Sequence, residues 1–219
     1  MQKPPQRKSS FEVTLKGNSV SNSYKVNFYR SDLDVEERDY ALFGILGPLL
    51  VYLSIAVSLI ISPWFSWETN ALSDLGNAIT SDAAAIFNLG LLFSGFLLMI
   101  YSVTAFKKHA KYSSFCLLIS SFLVQLIAAF NETYGSIHFV VAVPHFVMLS
   151  ITSIVYTVEK KSAFAFATFI VVMFSWLVYS LNLFNIGIAV PETISKLVVA
   201  WIMYSAIKIY LGKKLSSTL

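Results

Sequence analysis

Charge is what this sequence has least of. Of its 219 residues 13% are charged and 56% hydrophobic, whereas a soluble globular chain carries about a quarter charged residues. So little polar surface cannot cover a soluble protein of this length, and the remainder must face lipid. There is one cysteine, Cys116; with no second one an internal disulfide is excluded, and the redox compartment stays open. Residues 1–39 hold no short apolar core followed by a small-residue cleavage site, so no signal peptide is expected there. The basic residues outnumber the acidic ones, giving a net charge of +4, but they do not cluster with interleaved aromatics, and no nucleic-acid partner is expected. GxSxG, a phosphate-binding glycine loop, HxxxH and CxxC are all missing, which removes the usual signs of a hydrolase elbow, a nucleotide site or a zinc site.

What is present is apolar sequence in six blocks. They run from about 40–61, 83–106, 113–130, 139–158, 163–183 and 193–211. Each is about the ~20 residues needed to cross a ~30 Å hydrocarbon core. They lack period-two alternation, and in lipid only helices or closed barrels satisfy every backbone group, so the spans are helices. Gly44, Gly47, Gly90 with Ser94, and the serines at 113, 114, 120 and 121 offer small-residue faces for close packing. Lys196 and Lys208 lie near the two ends of the last block, where long side chains can snorkel to the interface.

The loops give the orientation. Lys107, Lys108 and Lys111 separate blocks two and three, Lys160 and Lys161 separate four and five, and Lys213 and Lys214 follow six. Every Lys and Arg except Lys196 therefore falls on one side, which the positive-inside rule makes cytoplasmic. The expectation is an all-α membrane protein of the cell membrane. It is a six-helix transmembrane bundle over 40–211 with both termini cytoplasmic and a basic tail at 212–219. The polar region 1–39 carries two period-two runs, FEVTLK (11–16) and YKVNFYR (24–30), that read as a β-hairpin; a disordered basic tail is the alternative. This region could also dock a protein partner.

The opposite face is acidic and holds the stretch NALSDLGNAITSD (70–82). Depth arithmetic puts Asn88 ~9 Å and His145 ~10 Å below that face, at 1.5 Å rise per residue. Polar groups at such depth usually face the bundle interior or a wet cavity. A polar outward pocket is therefore expected, with Asn88 and His145 at its floor and Ser73, Asp74, Asn77, Glu132 and His138 as walls or lid. Pro144 adds a free carbonyl near Val140. The plainer reading is that Asn88 and His145 only hold helices together. Asp82 reads as a charge at a helix N-terminus capped by Thr80 or Ser81, His109 as solvated loop, and Glu192 with Lys196 as an i,i+4 surface pair. No Asp, Glu or Lys is expected to be buried mid-membrane. His138 and His145, ~10 Å apart along the helix axis, are too far apart for one zinc ion, and no second deep histidine completes a haem site; no metal or cofactor is expected.

The residues Ser73, Leu75 and Gly76, followed by Phe87, Asn88, Gly90, Leu91 and Gly95, resemble the Ser-x-Leu-Gly loop and Phe-Asn-x-Gly-Leu helix of the integral membrane proteins grouped as domain of unknown function 998, in particular its archaeal members. FNETYGSIHF, ending at His138 and Phe139, matches a second block more loosely. The likeness covers 40–211 and implies the six-helix fold but no activity. A more distant similarity to Frag1/DRAM/Sfk1-type six-helix membrane proteins implies a lipid-linked role. Three functions follow as expectations. The first is binding of a lipid headgroup or small polar molecule, with membrane lipids as partners. The second is a lipid-directed enzyme using His138 with Asp74 or Ser73. The third is an accessory subunit that contacts its complex through residues 1–39.

Overall fold

The computed structural model describes residues 28–184 and 186–212. Six helices, each long and apolar enough to cross a membrane, organise these residues. They are α1 (Phe28–Ile60, of which Asp39–Ile60 is apolar), α2 (Ala84–His109), α3 (Lys111–Ala129), α4 (Ser136–Lys160), α5 (Ala163–Ser180) and α6 (Ala189–Tyr210). Phe28 to Arg30, the end of the expected second strand, are helical and open α1. The rest of the expected hairpin lies outside the described residues.

Each helix packs on its neighbours in chain order, and α6 closes the ring against α1. Short connections force this arrangement: one residue joins α2 to α3 and two join α4 to α5, so consecutive helices are antiparallel neighbours. The outward faces keep their large apolar side chains exposed along the whole length, among them Leu53, Phe93, Phe122, Val147, Phe174 and Tyr204. In water such a belt would be untenable; against lipid it is the expected surface.

The interior divides into two halves. Towards the termini, an aromatic column fills the ring. Tyr156 stacks on Trp201 at 4.3 Å between centroids, Phe106 on Tyr156 at 5.7 Å and Tyr101 on Phe106 at 5.2 Å. Their polar tips are all partnered, Trp201 Nε1 donating to Ser153 Oγ (3.2 Å), Tyr101 hydroxyl meeting Ser205 Oγ (3.0 Å) and Tyr156 hydroxyl meeting His109 Nε2 (3.2 Å). His109 is thus half-buried against Phe106 and Tyr156 and not solvated loop. Here α2 widens into a π-type turn over Ser102–Phe106. Towards the other end, Val51, Ile55, Phe87, Leu91, Val124 and Ile127 form a second apolar cluster, closed off by Leu72 and Leu75 of the connecting loop.

The tightest helix contact is between α1 and α2. A Cβ built on Gly90 would collide with both the Cβ and the Oγ of Ser54, so the two backbones approach as closely as a glycine allows. Gly90→Ala is expected to cost about 1–3 kcal/mol through overpacking. Adding Ser54→Gly should return most of that, because the two sites share one space. Thermal unfolding of the single and double variants in detergent checks this; equal loss in both would deny the contact.

Candidate loop cap and membrane-depth polar site

The loop between α1 and α2 folds down as a cap. Leu72–Gly76 forms one 3-10 turn, whose Leu72, Leu75 and Gly76 are buried. Asp74 builds this turn: its Oδ2 accepts from Asn70 Nδ2 and from Ala71 N, both at 3.0 Å. Ser81 Oγ donates to Leu75 O (2.9 Å) and accepts from Ala83 N (3.2 Å), so Ser81 is the residue that prepares the start of α2. Asp82 beside it is exposed.

Asn88 ties the cap to α2, its Nδ2 donating to Gly76 O at 2.8 Å. Gly76 has to be glycine for that approach, since a Cβ there would stand 2.6 Å from Asn88 Oδ1 and 2.8 Å from Phe87 Cδ1. Asn88→Ala is expected to cost about 0.6–2 kcal/mol, the range for a hydrogen bond between membrane segments. It should also speed amide exchange at Asn77, whose N–H bonds to Asp74 O within the same turn. Unchanged exchange would show that the amide does not hold the cap.

Asn77 links the cap to the loop before α4. Its Oδ1 accepts from Ile79 N at 3.0 Å and from Thr133 Oγ1 at 3.4 Å, and Ala78 N donates to Thr133 Oγ1 at 3.0 Å. In that second loop Glu132 Oε2 lies 3.1 Å from His138 Nε2. The other ring nitrogen, Nδ1, lies 2.8 Å from Phe130 O; a carbonyl only accepts, so Nδ1 carries the proton. His138 is therefore held by acceptors at both nitrogens. Asp74 is committed to Asn70 and Ala71, and no hydrogen bond among the described residues joins His138 to Ser73, which is half-buried.

His145, one helical face below His138, is buried and points elsewhere. Its Nδ1 donates to Ser120 O at 3.0 Å, with Ser120 Oγ at 3.3 Å. The ring tautomer is thereby fixed and Nε2 is left as an acceptor. His145 lines a small, mostly apolar cavity of about 30 Å³ together with Ser94, Ser120, Ser121 and Lys196, among apolar residues of α1, α2, α3, α4 and α6. Ser121 Oγ is fully buried and has no hydrogen-bond partner among the described residues. Asn88 does not line this cavity, so the two deep polar residues serve different places: Asn88 the cap, His145 the chamber beneath it.

Glu192 and Lys196 correct the reading of the last helix. Both are 9% exposed, and no ion contact within 4.0 Å joins them among the described residues. The span starts at Ala189, earlier than the apolar block suggests, which places both charges inside it. At Lys196 α6 is interrupted, since Lys196 N bonds to Thr193 O and Val199 N to Lys196 O, each three residues back. Tyr52 hydroxyl of α1 donates to the Lys196 carbonyl at 2.7 Å, steadying the break. The i,i+4 rule assumes an unbroken helix. Here the two side chains take different contacts while their charges still attract each other: Glu192 Oε2 takes the buried Leu72 N of the cap at 2.6 Å. Lys196 turns to the chamber, its ammonium 5.1 Å from the centroid of the Phe146 ring. Two charges within one apolar span were the signal for this site, because such residues rarely occur there without a partner or a task.

A closed ring of six apolar helices with an exposed apolar belt defines a multi-pass membrane protein. The chain belongs to the family described as a protein of unknown function, DUF998, which matches residues 45–208. No curated protein and no solved structure matches it.

Proposed function

We propose that this protein binds a small polar ligand carrying an acidic group, free or as a lipid headgroup, in the chamber under the cap. The observation that carries the reading is Lys196. Its side chain is buried in a membrane span, lines the mostly apolar cavity, and has no carboxylate within 4.0 Å among the described residues, although the Glu192 charge still acts on it. A cation so placed is costly unless an anion shares the site. His145 and the unpartnered Ser121 hydroxyl add an acceptor and a donor beside it. The cavity has room for about one water molecule, so the acidic group takes that place and the rest of the ligand needs the cap to lift. The bond that must yield is Leu72 N to Glu192, which joins the cap to the same helix as Lys196. The cap faces outward and the termini lie in the cytoplasm, as the lysine-rich connections at the other end favour.

The test is thermal unfolding in detergent with sodium phosphate, and separately with a soluble short-chain phosphatidylglycerol. Ligand that binds only the folded state raises the midpoint. Wild type should rise with one or both and Lys196→Met with neither. A rise with the lipid alone assigns a headgroup, and a rise with phosphate a free anion. No rise in wild type, or an equal rise in the variant, overturns the reading. Orientation is checked by cysteines placed at Asn77 and Lys160 in a Cys116→Ser background: they should label from opposite sides of the membrane.

A further inference from the structure

We infer a second, separate binding site at the termini-bearing end of the bundle, taking one anionic phospholipid from the adjoining leaflet. A groove of about 450 Å³ lies there, between α2, α3 and α4. That is within the size range of ligand sites. It is lined by Val103, Phe115, Leu118 and Val155 along its apolar length, and by Lys107, Lys111 and Tyr112 at its polar end. Val103 and Phe115 are 49% and 64% exposed, so the apolar part is open on the lipid-facing side of the bundle.

Three features select a phospholipid over a water-soluble anion. First, the groove runs from basic to apolar in the direction that a headgroup and its chains take from interface to membrane interior. Phe115 is four residues beyond Lys111 on α3, ~6 Å further along the axis. Second, the polar groups of the groove that could compete are already committed. Ser102 Oγ donates to Met99 O and Ser114 Oγ to Lys111 O, each at 2.7 Å. The nearby acid, Glu159, is spent on the start of α3, taking Tyr112 N, Ser113 N and Ser113 Oγ. No ion pair within 4.0 Å joins it to Lys107 or Lys111 among the described residues, and the Tyr112 hydroxyl has no hydrogen bond among them. Third, the π-type turn at Ser102–Phe106 borders this groove, Ser102 and Val103 being among its lining residues. Such turns are frequent at functional sites. Two ammonium groups at the mouth complement one phosphate, while the hydrocarbon walls exclude a free one.

The experiment uses the full chain in mixed micelles holding equal phosphatidylglycerol and phosphatidylcholine, read by native mass spectrometry. Wild type should retain phosphatidylglycerol over phosphatidylcholine by about tenfold or more, since each lysine near an anionic surface contributes several-fold. Lys107→Ser with Lys111→Ser should abolish the preference; both residues are exposed, so folding is not at stake. Lys160→Ser with Lys161→Ser, at the same end but outside the groove, should keep it. Lys196→Met should also keep it, which separates this site from the chamber under the cap. Equal lipid preference in wild type and Lys107→Ser/Lys111→Ser, or loss of preference in the Lys160→Ser/Lys161→Ser pair, would overturn the inference.

Discussion

Lys196→Met is expected to make the ligand-free protein more stable, by about 1 kcal/mol, while removing its response to anions. A buried charge costs several kcal/mol to dehydrate, and the attraction of the buried Glu192 carboxylate for the ammonium returns part of that cost. Lys196 is nine-tenths buried, and the Phe146 ring at 5.1 Å offers a cation–π contact that repays only part of the cost. Methionine keeps the length and flexibility of the side chain. The tie from Tyr52 is to the main-chain carbonyl and survives the change. A gain in stability with a loss of binding is the pattern of a residue kept for function. Thermal unfolding without ligand measures it. A fall in midpoint would mean that the ammonium is structural and that the chamber binds nothing through it.

Trp201→Ala should have the largest destabilising effect, about 3–5 kcal/mol. Trp201 is 1% exposed, stacks on Tyr156, lies 6.4 Å from Phe106 and donates to Ser153. Its removal leaves a cavity in the middle of the ring and a hole in the aromatic column that joins α2, α4 and α6. Trp201→Phe should lose clearly less, because a ring remains to stack although Ser153 loses its donor. Chemical or thermal unfolding in detergent distinguishes the two; equal, small losses would show that the column does not hold the bundle.

The spans were legible because apolar runs of about twenty residues leave few alternatives, and the loops between them are short enough to fix neighbours. The start of α6 was not, since Pro191 and Glu192 interrupt the apolar run although the backbone is already helical at Ala189. The same break hid the site. Four-residue spacing places Glu192 and Lys196 on one face of a regular helix, but the interruption at Lys196 sends one to the cap and the other to the chamber. Asn88 was legible as a deep amide, yet its partner is a main-chain carbonyl at Gly76, and such acceptors leave no mark in a sequence. Glu132 and His138 were both read as pocket residues, and the structure brings them to 3.1 Å. The SDLGN and FNLGL residues that carry the family likeness are the ones that lock the cap onto α2. Their pattern thus reports a structural joint, with the charged chamber lying deeper in the bundle.

Lys196 is proposed to hold an acidic group inside the bundle. Native mass spectrometry of the protein purified gently from its membrane tests it most directly, with wild type, Lys196→Met and Lys107→Ser/Lys111→Ser compared side by side. An acidic adduct present on wild type and on the groove variant, but absent from Lys196→Met, is the predicted result. The same adduct on Lys196→Met, or no acidic adduct on wild type, would contradict it.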